Sequence, residues 1–119
     1  MVLVDTSVWV SHFRRKSEHL ENLLSQEFVY CHPFIIGELA CGHLHHRNEI
    51  LSLMHELPAA TQATDQDILI FIEKHRLMGK GLGIVDIHLL ASASLSNLFI
   101  WTEDKQMRKV ALQLRMLHV

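Results

Sequence analysis

The sequence predicts an α/β fold, a three-layer α/β/α arrangement with a central parallel sheet flanked by helices. Two observations carry this. Short β-prone apolar runs at residues 2–4, 28–31 and 98–101 alternate with longer stretches whose apolar residues recur at helical spacing. Strands that alternate with helices pair in parallel, and the helices cover both faces of the sheet. The connections are short, with no internal repeat and no linker, so residues 1–119 are read as one domain.

Val2, Leu3 and Val4 are the pattern of a parallel strand buried on both faces. The run ends at Asp5, and Thr6 or Ser7 can cap a helix that carries Val8, Trp9, Ser11, His12 and Phe13. Ser17 opens a second helix with Leu20, Leu23 and Leu24 at helical spacing, and residues 28–31 form the second strand. Pro33 suits a first helical turn; that helix carries Phe34, Ile35, Ile36, Glu38, Leu39 and Ala40 and is expected to reach about His45. Ile50, Leu51, Leu53, Met54 and Leu57 mark a helix over 48–57, ended by Pro58, with a brief strand expected at 59–63. Thr64 with Asp67 resembles a capping box with Asp in the Glu position, opening a helix over 68–78. Gly79, Gly81 and Gly83 make a loop. A helix from Ile84 or Val85 then carries Asp86, Leu89, Leu90, Ala93 and Leu95 and stops at Asn97. Residues 98–101 are the clearest strand, residues 104–115 are helical, and residues 116–119 are expected as a final edge strand.

With 119 residues, 49% of them hydrophobic and 20% charged, the chain can build one core and is not of disordered composition. Its apolar runs are too short to span a bilayer. Its start lacks the basic region and apolar run of a signal peptide. Cys31 and Cys41 form no CxxC motif and are read as reduced thiols, so the cytoplasm is the expected compartment. The net charge of −2 runs against a simple nucleic-acid binder, but a nuclease built on carboxylates concentrates negative charge at its own site. Basic residues cluster at Arg14-Arg15-Lys16, between Lys74 and Lys80, and at Lys105, Arg108 and Lys109. Solvated helix faces carry such groups as a matter of course.

Ligands of open α/β sheets bind beyond the carboxyl ends of the strands. Asp5 stands at that end of the first strand, and Thr102, Glu103 and Asp104 at that end of the run 98–101. Glu38 and Asp86 lie instead within apolar stretches, where a carboxylate is costly to desolvate unless it is paired or bound to a cation. If these four acids converge, a divalent cation relieves their repulsion, and hard oxygen donors select Mg²⁺ or Mn²⁺. Each acid has a plainer reading. Asp5 or Asp104 can cap a helix, Asp86 can complement a helix dipole, and Glu38 can pair with a buried base.

Asp5-Thr6-Ser7, Gly37-Glu38-Leu39-Ala40, the segment from Asp86 to Ala93 and Thr102-Glu103-Asp104 follow in this order. The series resembles the PIN domain and, within it, the VapC-type toxins, over nearly the whole chain. The resemblance implies endoribonuclease activity on an RNA substrate, a carboxylate site for Mg²⁺ or Mn²⁺, a cognate VapB-type antitoxin and a homodimer. It matches Asp5, Glu38, Asp86 and Asp104 to the family's acids and Thr102 to a hydroxyl residue that often precedes the last of them. In that reading Asp5 and Asp86 ligate a first metal directly. Glu38 and Asp104 bind directly, through water, or at a second metal, and Thr102, Thr6 or Ser7 orient a carboxylate or a water. Met107 stands where the family often has an aromatic, and Leu90 where alanine is common; both look like packing changes.

Other chemistries have less support. His43, His45 and His46 are read as a polar helix end, since Cys41 and His45 are the only plausible zinc pair there and two ligands do not make a site. His88, two residues after Asp86, points elsewhere on its helix. There is no Gly-x-Ser-x-Gly elbow, no P-loop and no GxGxxG. A receiver-like signalling module wants paired acids after the first strand, where only Asp5 stands. The remaining alternatives are a catalytically silent binding domain of the same fold and a structure-specific DNA nuclease on a PIN-like fold, the latter disfavoured by the small size with no DNA-clamping insertion.

Overall fold

A computed structural model describes residues 1–119. Three short strands, β1 (Val2–Val4), β2 (Val29–Tyr30) and β3 (Phe99–Trp101), form one sheet in the order β2-β1-β3. Both pairings are parallel, with Val2 opposite Val29 and Val4 opposite Trp101. Successive strand residues point to opposite faces, and all three residues of β1 are fully buried, so both faces of the sheet are covered. The cover comes from seven helices: α1 (Thr6–Arg14), α2 (Glu18–Ser25), α3 (Pro33–Cys41), α4 (Arg47–Glu56), α5 (Asp65–His75), α6 (Ile84–Leu95) and α7 (Lys105–Gln113). No helix is long and apolar enough to cross a membrane.

The brief strand expected at 59–63 and the edge strand expected at 116–119 shrink to single bridges. Cys31 pairs with Ala59, and Ile100 with Leu117, both in parallel. Ile100 N–H donates to Met116 at 2.7 Å and His118 N–H to Ile100 at 2.9 Å, so the sheet continues for one residue beyond β3. The segment at 59–63 has no room to extend, because Thr64 already caps α5. Its hydroxyl accepts from Asp67 N–H at 3.0 Å, and the Asp67 carboxylate takes Thr64 N–H at 2.9 Å. The capping box is therefore present, and the helix starts three residues before the expected Ile68. α3 stops at Cys41 instead of reaching His45, with Gly42 as its extended C-cap.

Of the caps the sequence offers for α1, Asp5 and not Thr6 or Ser7 is the N-cap residue, and its side chain makes no capping hydrogen bond. His32 caps α3: its Nδ1 accepts from Phe34 N–H at 3.0 Å. With Nδ1 an acceptor, the neutral ring carries its proton on Nε2 and donates to Ser92 Oγ at 3.2 Å, tying α3 to α6. Ser92 Oγ also accepts from Ala63 N–H at 3.3 Å. Both side chains are buried, and burial followed by the nearby charge of His88 pushes the His32 ring down to about 4. Burial likewise pushes the Cys31 thiol up to about 11, against an opposing backbone hydrogen bond at His32, so Cys31 behaves as an apolar core group.

Candidate active site

The register of the sheet builds the first half of the site. Val4 lies opposite Trp101, so the next residues along each strand, Asp5 and Thr102, leave the sheet side by side. Asp5 N–H donates to Trp101 O at 2.9 Å and holds the two strand ends together. Asp5 is 6% exposed and Thr102 is fully buried. The Thr102 hydroxyl donates to Asp5 Oδ2 at 2.7 Å, and the Ser7 hydroxyl donates to the same oxygen at 2.8 Å. Each hydroxyl also accepts a backbone N–H from the turn after β3, Glu103 on Ser7 at 3.0 Å and Asp104 on Thr102 at 3.1 Å. One carboxylate oxygen is thereby saturated and clamped. Oδ1 accepts no hydrogen bond from the chain and is left for the space beyond the sheet.

The second half comes from the helices. α1 packs on α3, and across that contact the Thr6 hydroxyl donates to Glu38 Oε1 at 2.7 Å. Glu38 is exposed, so the idea of a buried base as its partner does not hold. Asp104 caps α7 with Oδ1, which accepts from Met107 N–H at 2.8 Å; the capping reading is right for one oxygen and leaves the other. Asp86 sits in the first turn of α6, with a long 3.4 Å contact from Gly83 N–H.

Asp86 reports the convergence of the set. Burial raises its pKa above the usual carboxylate range, with the Gly83 N–H opposing. The charges of Asp5, Asp104 and Glu38 then raise it further. No cation of the chain offsets them, since the single ion pair joins Lys16 to Glu21. Arg108, the nearest base by hydrogen bonding, donates to the Thr102 carbonyl at 3.2 Å.

The donors fit a hard divalent cation in chemistry: anionic oxygens, mutually repelling, with free lone pairs on Asp5, Glu38 and Asp104. No three His, Cys, Asp or Glu side chains stand close enough to hold an ion as placed, so the carboxylates would have to draw in around one. The same observation removes Cys41 with His45 as the start of a zinc site. A mostly apolar pocket of about 640 Å³ between α1 and α4, lined by Trp9, Phe13, Leu53 and Met54 with Glu27, Glu56 and His12, includes none of the four acids.

The sequence did not single out the His32–Ser92 pair or the Ser11 hydroxyl that donates to Glu103 and turns it toward α1. Ser92, set between Ala91 and Ala93 on an apolar helix, was the available signal for the first. Nothing in the sequence marks the second.

Residues 2–112 match the family model of the PIN domain. Two curated proteins named Ribonuclease VapC32, from Mycobacterium tuberculosis strains CDC 1551 and H37Rv, are each 39% identical to this chain over 109 residues, which is 91% of it and 88% of each of them. The crystal structure of PAE2754 from Pyrobaculum aerophilum superposes with a TM-score of 0.61 over 97% of this chain and 88% of that one. At 15% identity it speaks for the fold alone.

Proposed function

The chain belongs to the PIN-domain family, and from that membership we propose that it is the ribonuclease toxin of a VapBC-type toxin–antitoxin pair. It hydrolyses RNA phosphodiester bonds at Asp5, Glu38, Asp86 and Asp104 with Mg²⁺ or Mn²⁺. The observation that carries the chemistry is the Asp5 carboxylate, clamped through Oδ2 by Ser7 and Thr102 with Oδ1 left free, beside three further acids that no ion pair neutralises. A silent binding domain has no use for such a repelling set. The resemblance to two proteins named as VapC ribonucleases supports RNA as the substrate.

Asp5 through Oδ1, together with Asp86, would hold the cation, and Glu38 and Asp104 would complete or extend its shell. Such an ion activates water and offsets charge on the phosphate oxygens. The chain's own task is positioning. Ser7 and Thr102 fix the Asp5 carboxylate, and Thr6 fixes Glu38. Thr102→Val keeps the shape but removes a donor to Asp5 and the acceptor of Asp104 N–H. Cleavage is expected to fall by about 10–100-fold, as for other groups that orient ligands. Melting is expected to show a loss of about 1–3 kcal/mol from the orphaned N–H.

The partner in this reading is a VapB-type antitoxin, and the compartment is the cytoplasm. A homodimer follows from the family resemblance. The test is cleavage of total bacterial RNA by protein stripped with EDTA and freed of antitoxin. Discrete fragments are expected only when Mg²⁺ or Mn²⁺ is restored. Cleavage that persists in EDTA would count against the metal, and a folded protein inert with either ion would count against the nuclease.

A further inference from the structure

The geometry points to the pocket between α1 and the turn joining α3 to α4 as a subsite for one nucleotide of the RNA strand beside the cleaved bond. This rests on the nuclease reading above. The pocket has a volume of about 480 Å³, inside the roughly 300–1,000 Å³ that small-ligand sites occupy. It is continuous with the acids, because Glu38 lines it while Glu38 Oε1 is held by Thr6, the neighbour of Asp5.

The rest of its polar lining is one cation and three imidazoles. Arg14, His43, His45 and His46 all face it. None of them is engaged in an ion pair or side-chain hydrogen bond of the fold, whereas the adjacent Arg47 is committed to the Ala40 carbonyl at 3.0 Å. These free donors sit where a strand meets four negative charges on a chain of net charge −2. A polyanion that approaches such a site needs a cation and hydrogen-bond donors beside it; Arg14 supplies the charge and the imidazole N–H groups supply neutral donors to phosphate oxygens. Phe13, 36% exposed and packed by its ring against Trp9 and His12, and Ile50 line it too, where it borders the apolar pocket between α1 and α4. An aromatic face next to phosphate-binding donors is the equipment for stacking one unpaired base.

A second basic crevice, lined by Arg14, Arg15, Lys16 and Trp101, runs on the other side of α1 and is the competing location. Its Lys16 is already paired with Glu21 at 3.3 Å, and its lining includes Glu103, which accepts from Ser11, but none of the four acids.

The test combines localisation with kinetics. The full chain bearing Asp5→Asn is photocrosslinked to a random-sequence single-stranded RNA carrying 4-thiouridine, and the attached peptides are mapped. Crosslinks are expected at Phe13 or within residues 43–46. In the active protein, the triple substitution His43→Ala, His45→Ala, His46→Ala is expected to raise KM about tenfold with little change in kcat, the mark of lost ground-state binding. The three positions are exposed, and His46 is the left-handed N-cap of α4 (φ 55°), so only a small drop in melting temperature is expected and KM is read well below it. Crosslinks confined to Arg15, Lys16 and Trp101, or a triple variant with parental KM, would overturn the assignment while the nuclease stands. A parent that neither cleaves nor binds RNA would remove both.

Discussion

Asp5→Asn is expected to leave the fold intact and to lower RNA cleavage by at least about 10²–10³-fold, the scale on which single preorganised electrostatic groups act. The two halves of this result have separate causes. The buried Oδ2 accepts from Ser7 and Thr102, and the carbonyl oxygen of asparagine can take both bonds, so the strand ends stay joined. The amide group then falls in the place of Oδ1 and turns an anionic acceptor into a donor, which a cation cannot use. The substitution also removes one of the charges that press on Asp86. Melting of the variant is therefore expected at or above the parental temperature while cleavage disappears. Opposite signs of this kind separate a damaged site from a damaged fold. A variant that keeps full activity would exclude Asp5 from the chemistry.

The second large effect concerns stability in acid. His32 is held neutral in the fold at about 4, against its ordinary value of 6.5. Between those values the unfolded chain takes up a proton that the folded chain refuses. Stability is thus complete above about pH 6.5 and falls as pH drops toward 4. The full loss amounts to about 3 kcal/mol, at about 1.4 kcal/mol per pH unit of displacement. His75 and His118 are displaced in the same direction, each by burial first, and add to the loss. Asp86 works the other way. Its raised pKa means that its repulsion is fully present above that pKa and is relieved as it protonates. Urea unfolding at neutral pH and near pH 4.5 measures the sum, and His32→Asn isolates the histidine. Asparagine keeps a capping oxygen for the first turn of α3 but does not titrate, so the variant is expected to be less stable at neutral pH with a shallower acid slope. An unchanged slope would show that His32 is not the titrating group.

The parts of the fold and site that were legible in the sequence share a physical reason. β1 is buried on both faces, so it reads as an unbroken apolar run, and the same holds for residues 98–101. Their carboxyl ends carry Asp5 and Thr102 through Asp104, and half of the candidate site follows from that alone. Glu38 and Asp86 stood out because their neighbours are apolar. Those neighbours belong to other faces of their helices, and the carboxylates themselves are exposed and half-buried, so they were found by a contrast that did not describe their surroundings. The mutual approach of the four acids, short of a closed cluster, was out of reach. It depends on the register of β1 against β3 and on the packing of α1 on α3, which join residues more than 30 positions apart. The edge strands were misjudged because a single bridge and a longer strand share the same short apolar pattern. His32 was missed because histidine is an uncommon cap and its partner Ser92 lies 60 positions away.

The claim that the four acids exist to hold a cation is tested most directly by melting the metal-free protein across a series of Mg²⁺ and Mn²⁺ concentrations, with Asp5→Asn beside it. A ligand that binds only the folded chain adds about 2.7 kcal/mol at one hundred times its dissociation constant. The parental melting temperature is therefore expected to climb with metal, from a starting point at or below that of the variant, and the variant is expected to stay nearly flat. A parent that does not respond to either ion, or a variant that climbs as steeply, would mean that these carboxylates are not a metal site.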